Sequence, residues 1–234
     1  MGGQVLTVIP ARGGSKGLPR KNVLSLGDKP LVAWTIEASL ACPLVDVTIV
    51  STDDADIAAT AQRHGAEVPF LRPAELASDS ASSEAVLKHA LVQMEAERGR
   101  TFPIVVYLQP TEPFRAPGII AQVVRALLDD ESLDSAFAAK PEHKNYWSIE
   151  GDGHAVPLGR RDYRPRQSKP PVFREDTGVA LATRREVVLA GDRIGRNVRI
   201  VPHEHAGDFI DIHDESDLWL AEQLIAHRKA IPNT

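Results

Sequence analysis

Apolar positions in this chain fall into two textures that alternate along its length. Short continuous apolar runs at 5–9, 45–51, 103–109, 134–140, 178–183 and 198–202 read as strands, several rich in β-branched residues and closed by proline or glycine. Between them lie longer stretches with apolar residues spaced three and four apart. These predict helices over 30–41 (Leu31, Trp34, Ile36 and Leu40 on one face), 54–64, 84–98 (Val86, Leu87, Ala90, Leu91 and Met94), 117–129 and 184–190. A last helix from the Asp214-Glu215 corner to about 229 carries Leu218, Leu220, Ala221, Leu224 and Ile225. Strand and helix in alternation predict an α/β fold: right-handed βαβ units, a mostly parallel sheet flanked by helices, and ligands outside the carboxyl ends of the strands. The pattern breaks over 141–174, a stretch rich in proline and arginine with no sustained period, which reads as an excursion from the sheet.

With 234 residues, 43% hydrophobic and 25% charged, the chain can bury a sizeable core as one domain over 1–234. No apolar run approaches the roughly 18 residues of a membrane span. No signal-peptide pattern opens it, and Cys42 is its one cysteine, so a reducing cytoplasmic setting is expected. A net charge of −5 argues against nucleic acid. The cations that cluster, at 12–21 and 160–174, suggest local anion sites.

The first of these clusters follows the first strand directly: Pro10-Ala11-Arg12-Gly13-Gly14-Ser15-Lys16-Gly17-Leu18-Pro19-Arg20-Lys21-Asn22. Glycines let backbone N–H groups approach an anion, and Arg12, Lys16, Arg20 and Lys21 supply charge enough for a triphosphate. The alternative is a solvated basic turn. Neither GxxxxGK[ST] nor GxGxxG is present.

The loop resembles, nearly letter for letter, the N-terminal signature of the acylneuraminate (CMP-sialic acid) cytidylyltransferase family. The resemblance extends to Arg72-Pro73-Ala74-Glu75-Leu76-Ala77, to Ser82-Ser83, to Gln109-Pro110-Thr111-Glu112-Pro113-Phe114-Arg115, and to the closing Phe209-Ile210-Asp211-Ile212-His213. It implies a Rossmann-like nucleotidyltransferase fold, CTP as co-substrate, Mg²⁺ as cofactor with Mn²⁺ as an alternative, and a homodimer built through the 141–174 excursion. It also implies that Arg12, Gly13, Gly14, Ser15, Lys16, Lys21, Asn22, Arg72 and Ser83 hold the nucleotide. Gln109, Arg166 and Arg174 would hold a sugar acid. Catalysis would fall to Arg12, Lys21 and Asp211. Read without the family, Ser82 or Ser83 is a helix N-cap and Gln109 a strand end.

Three departures concern the acceptor or the metal. His213 replaces the second aspartate of the family's metal pair. That leaves Mg²⁺ on Asp211, phosphate oxygens and water, or a preference for Mn²⁺, or a histidine base. Thr177 stands where the family usually has asparagine, and Arg193-Ile194-Gly195 where sialic acid enzymes tend to be aromatic. Glu112 takes the place of a serine, with no role read from the sequence. The expected reaction is CMP transfer from CTP to the anomeric hydroxyl of a sialic-acid-like 2-keto sugar acid. The alternatives are transfer to another nonulosonic acid or a phosphonate, or a catalytically weak nucleotide-binding regulatory protein.

Overall fold

The computed structural model describes residues 5–159, 161–204 and 210–230. Arg160 of the basic segment and Phe209 of the closing signature lie outside the described residues. The chain runs β1 (Val5–Pro10), a 3-10 turn (Lys21–Val23), β2 (Ser25–Leu26), β3 (Lys29–Pro30), α1 (Leu31–Leu40), β4 (Val47–Ser51), α2 (Ala55–Arg63), the single turn α3 (Ala74–Ala77) and α4 (Ser83–Arg98). There follow β5 (Ile104–Tyr107), α5 (Ile119–Asp129), β6 (Ser135–Glu142), β7 (Tyr146–Ile149), β8 (Ala155–Leu158), a 3-10 turn (Arg166–Ser168), β9 (Val172–Glu175), β10 (Leu181–Arg184), α6 (Arg185–Ala190), β11 (Val198–Pro202) and α7 (Glu215–Ala230).

The main sheet has the order β11-β6-β10-β5-β1-β4, and β9 pairs with β6 beside that path. β4, β1 and β5 are parallel, as are β6 and β11, while β9 and β10 run antiparallel to their neighbours. β9 leads to β10 through only residues 176–180, too few for a crossover, so both run in one direction past β6. These five residues face the single residue Ala138 of β6, since Glu175 pairs with Ala139 and Leu181 with Phe137. β9 and β10 are thus one strand interrupted by a wide bulge. The bulge carries Asp176, Thr177 and Gly178 to the carboxyl end of β5, where the Gln109 N–H donates to the Gly178 carbonyl at 2.9 Å.

Apolar faces close the layers. One side of the sheet packs on α1, α2 and α5 through Val32, Ile36, Ile57, Val123 and Leu127. The other packs on α4 and α6 through Leu87, Leu91, Met94 and Val188. The stripe expected on α4 is the buried set found there. Two expectations need correction. Leu40 and Leu220 point outward, 49% and 40% exposed. The excursion is also shorter at the sheet: β6 continues to Glu142 and β9 resumes at Val172. Between them β7 and β8 form a separate hairpin.

Candidate active site

A cleft of about 430 Å³ opens at the carboxyl ends of β1, β4 and β5. Arg12, Ser15, Lys16, Lys21, Asn22, Arg72, Ser83 and Gln109 all line it, so residues far apart in the chain converge there. The loop after β1 is held from below: Gly13 N–H donates to Asp53 Oδ1 at 3.0 Å, and buried Asn22 donates from Nδ2 to the Arg12 carbonyl at 3.0 Å. Gly14 is exposed, with nothing crowding it. Gly17 is different. A Cβ there would lie 2.5 Å from the His213 carbonyl oxygen, so only glycine lets the loop press against the segment before α7.

The loop's cations are engaged internally. Arg12 donates to the Ser78 carbonyl at 2.9 Å and pairs with Asp79 at 2.9 Å; Lys16 reaches the same carboxylate at 2.6 Å. Arg20, at φ 56°, turns away to Asp54 and Asp56. Lys21 points inward and donates from Nζ to the Ile212 carbonyl at 2.7 Å. Burial lowers its pKa, and the carboxylates of Asp211 and Asp217 pull it back up, so a half-buried ammonium sits beside Asp211. Arg72 is pushed down to about 10 by burial and stays cationic at neutral pH; it grips the carbonyl and Oγ of Ser51 at the end of β4.

Ser82 Oγ accepts from the Ala85 N–H and is the α4 N-cap, which leaves Ser83 to face the cleft. Ser83 Oγ lies 3.2 Å from the Tyr107 hydroxyl, and Gln109 Nε2 donates to that hydroxyl at 2.6 Å. Tyr107 escaped the sequence reading. Its one available signal was a hydroxyl at the end of a strand otherwise wholly apolar.

A second cleft of about 430 Å³ adjoins the first and shares Gln109. Glu112, Arg174, Glu175, Asp176, Thr177, Gly178, Arg193 and Asp211 form the rest of its wall. The Gln109–Arg115 turn is braced by half-buried Arg115, which donates to the carbonyls of Val179, Gln109 and Gly178 and to Thr35 Oγ1 at 2.7–3.0 Å. Arg174 reaches Asp176 at 2.9 Å, and Asp176 also meets buried His203 at 3.2 Å. Burial raises the Asp176 pKa, but His203 and Arg174 more than offset this and the carboxyl titrates below its usual range. Glu112 is pushed up to about 7, first by burial and then by Asp211. Arg166 is exposed on the excursion and lines neither cleft.

Asp211 and His213 stand where the clefts meet: Asp211 lines the second, His213 the first, and Asp211 Oδ2 lies 2.8 Å from His213 Nε2. The segment that carries them is not a strand. It is an irregular run pinned by Lys21 on the Ile212 carbonyl and by the Ile212 N–H on the Thr111 carbonyl at 2.8 Å. Asp211 Oδ1 is buried with no hydrogen-bond partner. Among the described residues no three His, Cys, Asp or Glu side chains gather to hold a metal ion. One orphaned carboxylate oxygen at the mouth of a cationic cleft fits a hard cation that takes its other ligands from phosphate and water.

The cytidylyltransferase family model matches residues 6–187. CMP-N,N'-diacetyllegionaminic acid synthase of Legionella pneumophila is 31% identical over 226 residues, covering 95% of this chain and 96% of that protein. N-acylneuraminate cytidylyltransferase of Escherichia coli is 46% identical over 123 residues, 52% of this chain and 28% of that protein. Among solved structures, CMP:2-keto-3-deoxy-manno-octonic acid synthetase complexed with CTP superimposes with a TM-score of 0.73 at 18% identity, over 96% of this chain and 99% of that one. The last likeness concerns the fold.

Proposed function

Because the chain belongs to the cytidylyltransferase family, we propose that it moves CMP from CTP to the anomeric hydroxyl of a sialic-acid-like 2-keto sugar acid and releases pyrophosphate. The observation that carries this reading is the pair of adjoining clefts that share Gln109 and meet at Asp211 and His213. One is lined by cations suited to a triphosphate, the other by polar side chains suited to a hydroxylated acid.

In this reading the acceptor oxygen forms a bond to the α-phosphorus, the bond from that phosphorus to the bridging oxygen breaks, and pyrophosphate leaves with the electron pair. The hydroxyl proton passes to solvent. Arg12 and Lys16 neutralise the triphosphate once it displaces them from Asp79, and Lys21 meets the charge that grows on the leaving group. Arg115 stiffens the turn that presents Gln109 to both substrates. Asp211 would hold Mg²⁺, which supplies charge neutralisation and lowers the pKa of a bound hydroxyl.

A homodimer and a cytoplasmic setting belong to the same reading. The excursion exposes Trp147, Ile149, Leu158 and Tyr163, apolar surface that a second copy would cover. The test is pyrophosphate release in Mg²⁺ with each nucleoside triphosphate against a panel of sugar acids. Release only with CTP and a nonulosonic acid is expected. Equal release with other triphosphates, or none with CTP, contradicts it.

A further inference from the structure

The second cleft contains one ionisable side chain, Glu112, with neither a hydrogen bond nor an ion pair among the described residues. Glu112 is 9% exposed. Each other charged side chain of the cleft has at least one charged partner, although Asp211 Oδ1 and Arg193 Nε are buried without a hydrogen bond. Arg174 is held by Asp176, with Glu142 at 3.8 Å, and Arg193 lies 3.4 Å from Glu175 and 3.7 Å from Glu84. Asp211 faces His213.

Glu112 is also fixed in place. Its carboxylate presses on the bulge at Gly178, where a Cβ would come 1.7 Å from Oε2 and 2.9 Å from the side-chain oxygen of Gln109. Gln109 gives one amide N–H to the Tyr107 hydroxyl, which turns its oxygen to the same spot, where it takes one long hydrogen bond from Thr111 Oγ1 at 3.4 Å and keeps a second lone pair. Two hydrogen-bond acceptors therefore converge beside a glycine Cα, on a floor with no side chain of its own. A buried carboxylate without a donor is costly, and a ligand that brings the donor recovers that cost on binding.

We infer that Glu112, together with the Gln109 oxygen, is a specificity-determining residue that selects an acceptor acid carrying an N–H or O–H donor on the substituent that meets Gly178. This deepens the acceptor reading of the second cleft and rests on it. A serine at this position presents one short hydroxyl, which can turn to donate or accept; Glu112 in its carboxylate form only accepts, so it asks the ligand for a donor. A substituent lacking one leaves Glu112 unpaired in a closed site.

The experiment compares kcat/KM at saturating CTP for 2-keto nine-carbon sugar acids that differ at one ring substituent: hydroxyl, free amine, acetamido and deoxy. Wild-type protein, Glu112→Gln and Glu112→Ser are each tested, with KM for CTP and the CTP-induced rise in Tm as folding controls. For at least one ring position, wild type prefers the donor-bearing acids over the deoxy acid by about tenfold or more. The amine arm is expected to lead, because only it offers a charge. Glu112→Ser brings the ratio to within about threefold of one, Glu112→Gln falls between, and KM for CTP moves less than about twofold in both.

A wild-type ratio near one at every position overturns the inference without recourse to any variant, as does an unchanged ratio in a folded Glu112→Ser. Wild-type protein that releases pyrophosphate with CTP and some acid but fails these comparisons overturns the inference alone. Wild-type protein that releases none with any acid overturns the acceptor reading, and the inference falls with it.

Discussion

The two clefts are built on opposite electrostatic plans. In the first, each cation of the glycine-rich loop already has an anionic or carbonyl partner, so the loop is satisfied by itself and a triphosphate would enter by exchange. In the second, paired charges surround one buried carboxylate with no partner, so a ligand completes the site. Exchange tolerates any polyphosphate of the right shape, whereas completion asks for a particular donor. The departures from the resembled signature at Glu112, Thr177 and Arg193 all line the second cleft.

The comparison breaks most severely at Lys21, the one loop cation turned inward. Lys21→Ala should cut turnover about a hundredfold or more with a small change in acceptor KM, since it removes charge beside the leaving group and the tether on Ile212. Steady-state pyrophosphate release measures it. At the junction, His213→Asp should lower the Mg²⁺ concentration for half-maximal rate by about fivefold and change the maximal rate by less than about threefold. A Mg²⁺ titration of initial rates reads both.

Glu112 offers a stability test that the first cleft lacks. In metal-free protein its carboxyl, raised from 4.5 to about 7, holds a proton that the unfolded chain has already lost between those values. The folded state therefore loses stability as pH rises through that window. Glu112→Gln removes the loss, so it should match wild type near pH 4.5 and exceed it at pH 8 by on the order of 2 kcal/mol, a few degrees in Tm for a chain of this size. The smallest effect is expected at Asp79. Asp79→Asn frees Arg12 and Lys16 from their internal partner and should lower KM for CTP about two- to fivefold, an effect that salt erodes.

Most of the fold was legible because strand and helix leave different periods. β1, β4 and β5 and the buried face of α4 follow from apolar spacing alone. The antiparallel β10 and the 176–180 bulge did not, because direction in a sheet depends on connection length and partner, neither of which leaves a period in the sequence. The glycine-rich loop was legible as a cluster of cations among glycines in an acidic chain, and Arg12, Lys16 and Lys21 of it line the first cleft. The second cleft was legible only in part: the resemblance pointed to Gln109, Arg174, Thr177 and Arg193, which line it, whereas Asp176 and its partner His203, and Tyr107 of the first cleft, are single residues on separate elements that meet only when the sheet forms. Leu40 and Leu220 mislead for the same reason, since a helical stripe states which face is apolar but not how much of it a neighbour covers.

The central claim is that the two clefts join at Asp211 so that an acid in one attacks the α-phosphorus of CTP in the other. Phosphorus NMR of CTP, Mg²⁺, protein and a nonulosonic acid tests it most directly. The account predicts that the three CTP resonances give way to one phosphodiester resonance and one of pyrophosphate, in equal molar amounts. CDP with inorganic phosphate, or CMP and pyrophosphate without the diester, would contradict it.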